Sequence, residues 1–106
     1  MNIKEKMELK WEEMTAVKNE RESLFDNFEA NKERIAELHF EVEIKQLEYM
    51  FLKREQLAEL KKTEKVAIVA ESVASVESIN DTCIGLVQKR LIEYGYEERL
   101  KQEGLL

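Results

Sequence analysis

The chain has no proline, one cysteine, one histidine, one tryptophan and three glycines, all of them in its last quarter. Each shortage removes a class of structure or chemistry. Hairpins and tight loops lean on glycine and proline to reverse direction, so a turn-rich β fold lacks its material. A lone cysteine, Cys83, excludes an intrachain disulfide and a cysteine zinc cluster, and fits a reducing compartment. A lone histidine, His39, would have to take part in any Ser-His-Asp or Cys-His catalytic arrangement. The glycines stand apart from one another, so neither common phosphate-cradling loop is present. No apolar run approaches the roughly 18 residues needed to span a bilayer. The opening "MNIKEKMELKWEEM" is charged at every second or third position, unlike a signal peptide. These absences predict a soluble, cytoplasmic chain.

What remains is helix-forming material. Of the 106 residues, 38% are charged and 43% hydrophobic, with Glu, Lys, Leu and Ala abundant, which favours helices. The net charge of −6 works against general affinity for a phosphate backbone. No strong breaker occurs from Ile3 to Leu60. A 3.6-residue period puts Met7, Trp11, Met14, Val17 and Leu24 on one stripe that continues through Ile35, Val42, Met50, Leu57 and Leu60. The softest point is "DNFEANKER", because Asp26, Asn27 and Asn31 are poor interior helix formers. The pattern therefore predicts one long helical arm over 1–62, with a kink or short turn near 26–32 or, if unbroken, about 90 Å long.

Leu38–Leu52 carries two apolar rows. Phe40, Ile44, Leu47 and Phe51 form one; Leu38, Val42, Tyr49 and Leu52 form the other on roughly the opposite side. A helix apolar on two sides packs between two neighbours. The Val-rich stretch Val66–Ile79 reads as helix too, since a strand would put Glu71 and Glu77 among its valines. Thr63 is the expected N-cap of a second helix starting near Glu64. "SINDT", Ser78–Thr82, reads as a break before a third helix, whose inner side would hold Cys83, Leu86, Val87, Leu91 and Tyr94. Gly95 is the expected stop, with a last short helix closed by Gly104. The predicted architecture is a single all-α domain over 1–106 of coiled-coil or bundle type. Its long arm, 1–62, is joined to two or three shorter helices in 63–106 that fold back on it.

The search for chemistry assigns no catalytic residue, metal ligand or cofactor. His39 sits in the densest apolar segment and reads as a packed histidine. With Glu43 one turn away it offers only two metal ligands, and the residue three before it is Ala36, where a di-iron bundle would need Glu. Cys83 reads as a small buried hydrophobe; its placement near a helix start is the only argument for a reactive thiolate.

The functional expectation is a non-enzymatic, oligomeric interaction module, with a homodimer favoured, that binds or blocks a partner protein. Self-association is expected at Phe40, Ile44, Leu47 and Phe51. Trp11 and Tyr96, aromatics near the chain ends, are expected partner contacts. The alternative is an acidic inhibitor that mimics nucleic acid and occupies the channel of a DNA- or RNA-handling enzyme. Glu29, Glu33, Glu37 and Glu41, four residues apart on one face, would supply its charge. Direct nucleic-acid binding through the basic band Lys53–Lys65 is disfavoured by the net charge.

Overall fold

Asn2 opens the first helix. Its Oδ1 accepts a hydrogen bond from the Glu5 backbone N–H at 2.8 Å, and Glu5 Oε1 accepts one from Asn2 Nδ2 at 3.3 Å. This reciprocal capping satisfies a helix-terminal donor that would otherwise lack a partner. In this computed structural model, which describes residues 1–63 and 65–106, four α-helices follow in order: α1 (Ile3–Ser23), α2 (Phe28–Thr63), α3 (Ala67–Glu93) and α4 (Glu97–Gln102). No strand occurs among the described residues.

The long arm of the sequence is not a rod. A 3-10 turn, Phe25–Asn27, separates α1 from α2, and α1 folds back along α2. The Asn31 side chain stitches the turn by donating to the Asn27 carbonyl at 3.0 Å and the Leu24 carbonyl at 3.4 Å. The weak point anticipated at Asp26, Asn27 and Asn31 is therefore real, and it reverses the chain instead of bending it. The longest dimension is 56 Å, close to the length of α2 alone at about 1.5 Å per residue, and well short of an extended arm.

Helix α2 is the central element, with α1 and α3 both packed along it. Its two apolar rows serve these two sides. Toward α1, Leu38 and Val42 are buried with Met7 and Met14, and Tyr49 meets Trp11 at a ring separation of 5.7 Å. Toward α3 and the C-terminus, Ile44 and Leu47 lie in one cluster with Ile84, Leu91, Leu100 and Leu105. Ile44, Leu47, Leu91 and Leu100 have no exposed surface, each burial being worth roughly 1.5–3 kcal/mol before entropy.

Three local expectations are corrected. Thr63 caps nothing: its hydroxyl donates back to the Leu60 and Glu59 carbonyls at 3.1 and 3.4 Å, inside the last turn of α2. Glu64, the expected helix start, lies outside the described residues, and α3 is preceded by Val66 in an extended conformation. The break at Ser78–Thr82 does not occur, because the polar side chains there bond elsewhere. Asn80 Nδ2 donates to the Met50 carbonyl on α2 at 3.0 Å, and Thr82 Oγ1 donates to the Ser78 carbonyl one turn back at 3.0 Å. Both are alternatives to capping that leave the helix intact. Glu77 is paired with Lys61 of α2 at 3.2 Å.

The C-terminal stops are as expected. Gly95 has φ +90° and Gly104 φ +70°, the left-handed region that only glycine enters without strain. After α3, the Gly95 N–H bonds the Ile92 carbonyl and the Tyr96 N–H bonds the Leu91 carbonyl, both at 3.0 Å. After α4, the Gly104 N–H bonds the Lys101 carbonyl at 3.2 Å and the Leu105 N–H bonds the Leu100 carbonyl at 2.8 Å. Both are Schellman closures, and they swing Leu100 and Leu105 into the core.

A candidate interaction surface

Because α3 is continuous, residues on either side of the expected break share one face. At 100° per residue, Ile68, Ile79 and Leu86 fall within about 20° of one another. They are 75%, 65% and 64% exposed. Ser72, Ser75 and Thr82 lie between them on the same line, so no ionisable side chain interrupts it. Val69 and Val76 flank the line and are also exposed. The inward residues of α3, Val73, Ile84 and Leu91, lie about 120–160° away and are buried. The placement expected from a helix restarted at residue 82 is thus corrected. Leu91 points inward and Val87 packs at the edge of the core, but Leu86 and Tyr94 face solvent and Ile84 takes the core position. The sequence signal for the exposed line was the eighteen-residue interval from Ile68 to Leu86, five full turns, hidden by reading Ser78–Thr82 as a break.

The residues expected to self-associate lie inside the chain. Ile44 and Leu47 have no exposed surface, and Phe40 and Phe51 pack partly buried against the same cluster. Side chains covered by α3 and α4 cannot also cover a second copy while the chain stays closed. Phe51 also carries Arg54 over its ring at 4.5 Å.

Trp11 remains half-exposed. With Tyr49 it stands between two shallow hollows, one bordered by Met7 and Gln56, the other by Met14, Val42 and Asn80. Tyr96 is held against Phe40 at 5.1 Å, and burial pushes its phenol up from the usual value despite the opposing field of Arg99. Trp11 and Tyr96 therefore differ: the first is accessible, the second is largely a core contact.

Three carboxylates of the acidic row on α2 have cationic neighbours. Glu41 forms a two-pronged pair with Arg99 of α4, whose Nη2 lies 2.9 Å from Oε2. The Arg99 hydrogen bonds hold the Glu41 carboxyl below its ordinary range, with burial opposing. Glu37 pairs with Arg34 at 3.2 Å and Glu29 lies 3.9 Å from Lys32. Glu33 is exposed. A second network ties α1 to α2: Lys10 meets Glu13 at 3.2 Å and Glu48 at 2.5 Å, and Lys45 meets Glu13 at 3.3 Å. The Glu48 hydrogen bond raises the Lys10 ammonium. Burial pulls the Glu13 carboxyl up, but the hydrogen bonds from Lys10 and Lys45 outweigh it and leave it lowered.

One polar knot lies under the surface where α1, α2 and α3 meet. Glu43 is buried; its Oε1 lies 3.1 Å from Arg90 Nε and 3.7 Å from His39 Nε2. On its other side the His39 ring has Nδ1 at 3.2 Å from Arg21 Nη1. Arg90 Nη2 also lies 3.4 Å from His39 Nε2, so each ring nitrogen faces a guanidinium, which can only donate. Glu43 Oε2 and Arg21 Nε are buried without a hydrogen-bond partner among the described residues. Two arginines stand where a cation would approach His39 and Glu43, and no group of three metal-ligating side chains occurs among the described residues. Cys83 is half-buried and lies well inside α3, so the helix-terminus argument for its thiolate is removed. In the basic band, Lys61 and Lys62 are engaged with Glu77 and Glu59.

No helix among the described residues is long and apolar enough to cross a membrane. Comparison of the chain with protein-family models, curated proteins and solved structures finds no match.

Proposed function

We propose that this chain is a non-catalytic helical interaction module, active as an oligomer, that binds or blocks a partner protein, with the outer face of α3 as its associating surface. The observation that carries this reading is the line Ile68–Ile79–Leu86. A helix that buries Leu91 completely leaves three large aliphatic side chains in water, about 120–140° away around its axis. Contiguous apolar patches of several hundred Å² on a folded chain commonly mark interaction sites. Half-exposed Trp11, on the far side of α2, is a second contact of the kind enriched in binding surfaces.

The alternative, mimicry of nucleic acid by the acidic row, has less support. Three of its four carboxylates already have cationic neighbours, which weakens the field they would present to a basic channel.

The test is binding by the immobilised chain against its Ile79→Glu variant, with a differently tagged copy and a native lysate as the two sources of ligand. The reading expects ligands held by the wild type to be lost by the variant. Equal retention by both proteins refutes it.

A further inference from the structure

Resting on the reading of α3 as the associating surface, we propose that its occupant is a second copy of the same helix, packed antiparallel about a two-fold axis passing near Glu77. In that register each residue i faces residue 154 − i of the other copy. Ile68 then meets Leu86, Ser72 meets Thr82, and Ile79 meets Ser75. Large side chains fall opposite small ones in the middle and opposite each other at the ends, so one face is complementary to itself, as a two-fold interface requires. A parallel, in-register pair sets Ile79 against Ile79 and Ser72 against Ser72, which leaves gaps beside collisions. Antiparallel pairing also places opposite ends of the two helix dipoles together.

The area is sufficient. Ile68, Val69, Val76, Ile79 and Leu86 keep between 40% and 75% of their surface, on the order of 500 Å² per copy, the size of a functional patch. Complete burial of these side chains in two copies would hide about 1,000 Å², the floor for a specific interface. Association is therefore expected at micromolar concentrations and not much below.

Sedimentation of the wild type and of Ile79→Glu, with circular dichroism to confirm equal helicity, measures the assembly. The wild type is expected at close to twice 12.6 kDa near 100 μM, with the midpoint of dissociation at about 10 μM, and Ile79→Glu at the monomer mass. Single-cysteine proteins in a Cys83→Ser background then fix the register. Ser72→Cys and Thr82→Cys sit opposite each other, so a mixture of the two is expected to form disulfide-linked heterodimers on oxidation. Each alone is not, because like positions lie about 15 Å apart along the axis, beyond the ~7 Å reach of a disulfide. Cross-linking of each protein with itself overturns the antiparallel register. A wild type that stays monomeric at 100 μM overturns self-pairing and leaves the α3 surface to be judged by its binding to other proteins. A dimer that survives Ile79→Glu overturns both the pairing and the assignment of the surface.

Discussion

Leu86 and Leu91 form a controlled pair on one helix. They are the same residue type, five positions apart, at 64% and 0% exposure. Truncating Leu91 to alanine removes a side chain from the cluster with Ile44, Leu47 and Leu100. The expected cost is the lost transfer energy plus that of the cavity, about 3 kcal/mol within a range of roughly 2.7–5. For a domain of this size, total stability is of the order of 5–15 kcal/mol, so the loss is a large share. With a urea dependence of about 1.5 kcal/mol per molar, the midpoint falls by roughly 2 M. Leu86→Ala removes mostly hydrated surface and puts a better helix former on an exposed position, so the change is within about 0.5 kcal/mol. Urea titration followed by far-ultraviolet circular dichroism, at 1 μM where the chain is expected to be mostly monomeric, makes the comparison. The reasoning fails if the two substitutions cost similar amounts, or if Leu86→Ala costs more. Repeating the titration near 100 μM adds a second check. There Leu86→Ala acquires a cost that it lacks at 1 μM, because the wild type gains stability from association and the variant gains less.

Gly95→Ala forces a side chain into φ +90° and costs about 1–2 kcal/mol, whereas Gly85→Ala, in the helix interior with nothing within 4 Å of the added carbon, gains about 0.5–1 kcal/mol; thermal unfolding separates the two signs. Glu41 has a folded-state carboxyl below its unfolded value because Arg99 binds the charged form. Its contribution is therefore present above the ordinary carboxylate range and is lost as pH falls through the lowered folded value. Glu41→Gln is expected to destabilise at neutral pH and to flatten this acid limb, and an unchanged limb in a stability-versus-pH series counts against the pairing. Glu43→Leu removes a buried carboxylate with one unpartnered oxygen and frees Arg90, already half in water, to be hydrated. The change is expected to be neutral or stabilising by about 1 kcal/mol, and a loss above about 2 kcal/mol in urea titration shows that the knot holds the three helices together.

Much of this fold could be read from the residues. The lack of proline and the late glycines pointed to helices; the two apolar rows of Leu38–Leu52 placed α2 between neighbours; Gly95 and Gly104 marked the stops. The reversal between α1 and α2 was harder to read for a physical reason. It is made by Leu24 in a helical conformation, one 3-10 turn and the Asn31 side chain, with no positive φ among the described non-glycine residues. Such a turn requires no glycine or proline, and the apolar stripe runs through it unbroken whether the chain folds back or stays straight. The outer face of α3 was lost by a similar ambiguity. Asn80 is a good N-cap and an equally good donor to a neighbouring helix, and only the nearby Met50 carbonyl decides between them. The burial of Ile44 and Leu47 was equally hard to read, since an arm that folds back leaves more chain to cover α2.

The central claim is that α1 and α4 close the core on α2 within one chain and leave the outer face of α3 in solvent. Small-angle scattering of the Ile79→Glu protein at low concentration tests this most directly. A closed monomer is expected, with a radius of gyration near 16.4 Å and a largest dimension near 56 Å, each raised slightly by hydration. A largest dimension approaching the ~90 Å of an unbroken sixty-residue helix would contradict it.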